Sequence, residues 1–240
     1  MRKFLFSVLA GAILAPALVL AAGNTTSDSF ARAKKMLRQV YEDHRVTLYC
    51  GAQYDAQGNV TLPEGIVIPI KRANRVEWEH VVPAENFGRA FDEWREGSPE
   101  CVDNRGKAFK GRRCAEYRHM QADMYNLYPA IGAVNAMRSN FNFQMLPGEE
   151  SSFGSCEMKI ADRKAEPPAR ARGQIARTYF YMQDAYPRYK MSRQQEQLMG
   201  AWDKMYPVDQ WECTRAKRIE AVQGNENRFV KEPCEAAKMW

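Results

Sequence analysis

Six cysteines, Cys50, Cys101, Cys114, Cys156, Cys213 and Cys234, constrain what this chain can fold into more than any other feature. All lie downstream of an export signal, their number is even, and none forms the C-x-x-C pair that a zinc ribbon or a redox motif needs. The expectation is therefore a disulfide-stabilised domain with three bridges. Sequence alone leaves the pairing open; the shortest loops favour Cys101 with Cys114 and Cys213 with Cys234, which leaves Cys50 to close a long loop with Cys156. The export signal itself is read from Arg2 and Lys3, the apolar run Phe4 to Leu20 and the small residues around Val19-Leu20-Ala21. The run is short and holds Pro16, which argues against a membrane anchor. The organisation expected is thus a signal peptide over 1–21 and one domain over 22–240, located in the periplasm or secreted, with no membrane association. Loss of Arg2 and Lys3 lowers the formal net charge from +6 to +4, too mild a surplus to name a partner.

Periodicity gives a coarse map. Ser27 to His44 reads as a helix capped by Ser27 or Ser29. Val46 to Tyr49 and Ile66 to Ile70 read as strands, and Arg75 to Glu79 as a further short strand. Ala84 to Arg95 reads as one helix stopped at Gly97, Glu116 to Leu127 as another stopped by Pro129, and Ile131 to Met137 as a short third. Residues 139–170, rich in Asn, Gly, Ser and Pro, read as a long working loop. Three helices follow: Ala171 to Tyr186, Ser192 to Met205 behind a capping-box pattern with Gln195, and Asp209 to Gly224. The fold class expected is α+β, a small antiparallel sheet with several packed helices.

The chain has three histidines, His44, His80 and His119. His80 stands out, because it ends the strand Val76-Glu77-Trp78-Glu79-His80 beside an acid, and a neutral imidazole beside a metal-binding carboxylate can take a proton from water. Adjacent strand residues point to opposite faces, so Glu79 and His80 serve one site only if the strand ends or bends between them. A hard cation such as Mg²⁺ needs few protein oxygens because it keeps several waters, and Glu79 with the Asn126 side-chain carbonyl would suffice.

Several long motifs occur together in order: Glu77-Trp78-Glu79-His80-Val81-Val82-Pro83-Ala84, Asp123-Met124-Tyr125-Asn126-Leu127-Tyr128-Pro129, Gly132-Ala133-Val134-Asn135, Pro168-Ala169-Arg170-Ala171-Arg172-Gly173, Ile175 to Met182, Trp211-Glu212-Cys213 and Gln223-Gly224-Asn225. Over nearly the whole exported chain this resembles the periplasmic endonuclease I family. The resemblance implies a sequence-non-specific nuclease of DNA and RNA with a ββα-metal (His-Me finger) motif, in which a strand delivers the histidine and a following helix the second metal ligand. It implies His80 as general base, Glu79 and Asn126 on one Mg²⁺, with Mn²⁺ or Ca²⁺ able to substitute, products ending in 5′-phosphate, and a buried halide in some members. An arginine holding a phosphate oxygen is also implied; by proximity the candidates are Arg95, Arg113, Arg118 and Arg138, with Arg113 set beside the catalytic residues. Asn135 supports the site or caps a helix. Arg170, Arg172 and Arg177 with Lys107, Lys110, Arg112 and Arg113 are expected to contact substrate phosphates. No obligate protein partner is expected. Two rivals remain: an exported nucleic-acid-binding protein without hydrolysis, which has no use for Glu79, His80 and Asn126 around a metal, and a metal-dependent phosphodiesterase of lipids or nucleotides, separated only by polymer cleavage.

Overall fold

The computed structural model describes residues 23–66, 72, 74–97 and 114–240. The elements are α1 (Phe30–Val40), β1 (Val76–His80), α2 (Ala84–Gly88), α3 (Asp92–Glu96), α4 (Ala115–Gln121), β2 (Leu127–Ile131), α5 (Gly132–Arg138), β3 (Asn142–Phe143), β4 (Lys159–Ala161), β5 (Lys164–Glu166), α6 (Ala169–Ala185), α7 (Arg193–Met205), α8 (Gln210–Gln223) and α9 (Arg228–Ala236). The α+β class holds. The single antiparallel sheet does not: β1 and β2 form one antiparallel pair, and a three-stranded sheet, β3-β5-β4, mixes a parallel and an antiparallel ladder.

Helix starts follow the local chemistry of the chain. Ser29 Oγ accepts from Arg32 N to open α1, Ser192 Oγ accepts from Gln195 N at 3.2 Å to open α7, and Asp209 Oδ1 accepts from Glu212 N at 2.7 Å to open α8. Each such cap satisfies a backbone donor that the helix itself leaves open, for about 1 kcal/mol. Gly224 closes α8 in the left-handed region at φ 83°, where a side chain would strain the backbone.

Other expectations need correcting. Val46 to Tyr49 is no strand: Thr47 N donates to Ala52 O and Gly51 N to Thr47 O, so the segment closes on itself and keeps one bridge, Val46 to Gln53. Of Ile66 to Ile70, residues 67–70 lie outside the described residues. The helix expected over Ala84 to Arg95 is broken into α2 and α3, because the chain folds back until the Trp94 ring lies 2.8 Å from where a Cβ on Gly88 would stand. The helix expected through Leu127 ends at Gln121. Asp123 then caps a 3₁₀ turn over Met124–Asn126, and the chain enters β2 with Pro129 inside it. A two-stranded sheet leaves each strand one unpaired edge, where proline is tolerated. The loop expected over 139–170 contains β3, β4 and β5, strands too short to show a period of two. Helix α9, holding Pro233 in its interior, was not anticipated.

The disulfides Cys50–Cys156 and Cys213–Cys234 form as the loop lengths favoured, the second tying α9 to α8. Cys114 is also disulfide-bonded, and Cys101 lies outside the described residues. Helix α6 packs on α7 and α9, α8 on α1 and α9, and α5 on both β1 and β2. The 3₁₀ turn is anchored by Asp123, fully buried, whose carboxylate accepts from Tyr181 and Tyr186 hydroxyls at 2.6 Å each and from Gln223 Nε2 at 2.9 Å. Among the described residues no helix is long and apolar enough to cross a membrane.

Candidate active site

Pairing of β1 with β2 sets His80 against Leu127 and Glu79 against Tyr128, so Asn126 lies just beyond the end of β1. Strand alternation sends Val76, Trp78 and His80 to one face and Glu77 and Glu79 to the other. The strand runs through both Glu79 and His80 and ends only after His80, so it does not break between them as a shared site was expected to need, and the next residues, Val81 and Val82, are held by two side chains. Arg138 Nη1 donates to His80 O at 2.9 Å and Nη2 to Val81 O at 2.7 Å. Asn126 Nδ2 donates to Val82 O at 2.9 Å, and its Oδ1 accepts from Val82 N at 2.7 Å. The backbone leaving the strand would otherwise bury unpaired carbonyls.

Glu79 is only 4% exposed. Its Oε1 accepts from the Tyr49 hydroxyl and from Arg138 Nη1, each at 2.7 Å. Its Oε2 accepts no hydrogen bond among the described residues and is not sealed from solvent. The other buried acids differ: Asp123, Glu166 and Glu212 each have both oxygens engaged. Burial pushes the Glu79 carboxyl up, against the pull of Arg138 and the Tyr49 hydrogen bond. Burial also works against the Arg138 charge, but Glu79 beside it holds the guanidinium above its ordinary range.

His80 packs against Phe30 at 4.9 Å and Phe87 at 6.3 Å between ring centroids. Its Nε2 lies 2.8 Å from Gln121 O. A carbonyl only accepts, so Nε2 carries the proton, and in the neutral ring Nδ1 is the bare acceptor. Nδ1 has no partner among the described residues and is reached by solvent. Burial drives the imidazole down to about 4, so it is neutral at pH 7. The two residues therefore offer a neutral base with one nitrogen fixed and one open and, on the opposite face of β1, a carboxylate with one oxygen fixed and one open.

A cleft of about 630 Å³ opens beside His80, lined among others by Phe30, Lys34, Arg38, Arg45, Arg75 and Trp78. The family model of endonuclease I matches residues 25–234. The chain belongs to the endonuclease I family. An extracellular deoxyribonuclease of Aeromonas hydrophila is 40% identical over 218 residues, 87% of this chain and 92% of that protein. A periplasmic deoxyribonuclease of the same organism is 39% identical, covering 87% and 88% of the two chains. An endonuclease-1 of Buchnera aphidicola is 37% identical, covering 87% and 83%. This member of the family is thus a nuclease, a hydrolase located in the periplasm or secreted.

Of the residues singled out in the sequence, Glu79, His80, Asn126 and Arg138 come together. Asn126 does so from a 3₁₀ turn ahead of β2 and not from a helix. Arg138, expected to touch substrate, is 0% exposed and is instead the partner of Glu79. Asn135 donates to Glu77 Oε2 at 2.8 Å. The remaining arginines are otherwise engaged. Arg95 pairs with Asp92 and Arg118 with Asp28. Arg170 donates to Thr47 O and Leu48 O, Arg172 pairs with Glu166, and Arg177 is buried against Glu212. Lys107, Lys110, Arg112 and Arg113 lie outside the described residues. His44 stacks on Trp211 at 3.9 Å, away from the site. Sequence reasoning missed Tyr49, which only folding brings to Glu79, and the basic residues of α1. Those did leave a signal: Phe30, Lys34 and Arg38 recur every four residues.

Proposed function

We propose that this chain is a sequence-non-specific endonuclease of DNA and RNA, in which His80 is the general base and Glu79 and Asn126 hold one Mg²⁺, for which Mn²⁺ or Ca²⁺ can substitute. The observation that carries this reading is an open atom on each of two neighbouring residues: Glu79 keeps Oε2 free while the other buried acids keep none, and His80 keeps Nδ1 free. Glu79 Oε2 and Asn126 Oδ1 are both oxygens, the donor type a hard cation that retains water takes; Asn126 is fully buried with its amide bonded to Val82, so only the second lone pair of Oδ1 is left for an ion. No group of three or more His, Cys, Asp or Glu residues placed to hold a metal occurs among the described residues, so water would complete such a shell. When bound, the ion supplies charge stabilisation for a phosphodiester that gains negative charge as water attacks.

The chain's own residues supply the rest. Gln121 O fixes the His80 tautomer, and Nδ1 takes the proton of the attacking water. Water oxygen bonds to phosphorus as the P–O3′ bond breaks and O3′ takes a proton from solvent, which leaves a 5′-phosphate and a 3′-hydroxyl. Arg138 positions Glu79 and the backbone of residues 80 and 81, and is a positioning residue. Its Nε and the Tyr179 hydroxyl, buried donors without a hydrogen-bond partner, suit the halide of the family. The strand pair β1–β2 followed by α5 supports the ββα-metal reading. Residues 1–21 direct export and are removed.

The test is digestion of supercoiled plasmid and of RNA by the exported form with Mg²⁺, with excess EDTA, and as His80→Ala. Cutting of both substrates should vanish with EDTA and fall by about 10²–10⁴-fold in the variant. Intact plasmid in every lane with a retarded band would make the chain a binding protein, and cutting by His80→Ala at the parent rate would remove His80 from the base role.

A further inference from the structure

The cleft beside His80 has two unlike walls. Helix α1 forms one, with Phe30, Lys34 and Arg38 on a single stripe, and Arg45 follows just beyond the helix. Phe30 lies on His80, and Lys34 Nζ stands 4.6 Å above the Phe30 ring, so the row of cations starts at the candidate base and runs away from it. Lys34 and Arg38 are about 6 Å apart along the helix, close to the separation of successive phosphates in an extended strand. Arg75 faces the row from across the cleft, fixed by Asn59 Oδ1 at 3.1 Å and Gln57 O at 2.9 Å. Lys34, Arg38, Arg45 and Arg75 pair with no carboxylate among the described residues, whereas Arg72 in the same cleft is spent on Glu77.

The other wall is aromatic. Trp78 shares the His80 face of β1, is half-buried, and is braced edge-on by Tyr41 at 5.6 Å. Tyr54, also half-buried, lines the same space. A row of unpaired cations facing braced aromatic rings is the pattern that binds single strands, because unpaired bases stack on the rings while the phosphates follow the charges. A duplex turns its bases inward and cannot use such a wall. A cleft of about 630 Å³ is also the size that encloses a small ligand rather than a double helix.

We infer that this cleft is a single-strand subsite on one side of the scissile phosphate, with Lys34, Arg38 and Arg45 on successive phosphates and Trp78 and Tyr54 against the bases. This inference rests on the nuclease reading and adds a preference for unpaired over blunt duplex nucleic acid.

Fluorescence anisotropy in EDTA measures the preference without any cleavage. The exported protein is titrated with a short fluorescein-labelled oligothymidylate and with the same length of blunt duplex, over a range of salt. The single strand should bind about tenfold more tightly, within the range that base stacking supplies. Arg38→Ala/Arg45→Ala, which alters two exposed side chains, should lower the single-strand salt slope by about 1.4 and leave the duplex slope unchanged. Trp78→Leu should weaken single-strand binding at unchanged slope, its fold checked by circular dichroism. Duplex binding equal to or tighter than single strand overturns the subsite, since duplex has the higher charge density and a merely basic surface favours it. Equal losses for both substrates in the double variant overturn it too. Failure of the plasmid digestion with the anisotropy preference intact would instead condemn the nuclease reading alone.

Discussion

Two buried arginine–carboxylate pairs, one in the helical half and one behind β1, use their atoms differently. Arg177 meets Glu212 in a fork, Nε to Oε1 at 2.8 Å and Nη2 to Oε2 at 2.6 Å, and Nη1 reaches Asp203 and Tyr206 O at 2.9 Å. Every acceptor of Glu212 is used, so the pair is scaffold. Arg138 meets Glu79 through a single contact at 2.7 Å, with Arg138 Nε unpaired and Glu79 Oε2 open. Two ions taken out of water gain most when all their bonding capacity is met. A buried pair that leaves capacity unmet is free for another use, and under the proposed function that use is the reaction.

Breaking either pair separates the two roles. Glu79→Gln should cut kcat per folded molecule by about 10²–10³-fold, besides destabilising the fold by leaving the Arg138 charge alone. Glu212→Gln should cost about 3–5 kcal/mol in a urea titration with kcat per folded molecule unchanged. A Glu212→Gln protein that stays folded yet loses its rate would erase the distinction.

Acid sharpens the same contrast. The folded His80 titrates near 4, below its unfolded value, so between pH 6.5 and 4 the unfolded chain holds more protons. Stability contributed by the neutral ring is therefore full at neutral pH and declines by at most about 3 kcal/mol on acidification across that window. The acidic limb of kcat/KM in the free enzyme should fall near pH 4. A limb near the ordinary imidazole value would show that His80 is not the base or is better solvated than the structure has it. The smallest effect is expected from Tyr49→Phe. Loss of one hydrogen bond to a carboxylate should cost about 1.5–3 kcal/mol, and Glu79 should still support cutting.

Much of the candidate site was legible because it is local. Glu79, His80 and Asn126 belong to two short motifs, and the end of a strand at His80 follows from Val81-Val82-Pro83. The caps at Ser29, Ser192 and Asp209 were legible for the same reason, since a cap is a contact between residues three apart. The strands β3, β4 and β5 were not, because two or three residues carry no periodicity and their pairing joins Phe143 to Ala165 across a long loop. Arg138 was visible as a residue but not in its role. A charged side chain on a short helix reads as surface, and only the packing of α5 on β1 buries it.

The sequence by itself determined the compartment and supplied the residue types that the proposed chemistry needs, both of which depend on composition, spacing or near neighbours, while loop length favoured the bridges without deciding them. Tertiary structure alone decided which carboxylate keeps a free oxygen, which histidine nitrogen is open, and which cations stay unpaired beside His80. Those depend on partners 30 to 59 residues away, such as Tyr49 and Arg138 on Glu79, and no local pattern encodes contacts at that range.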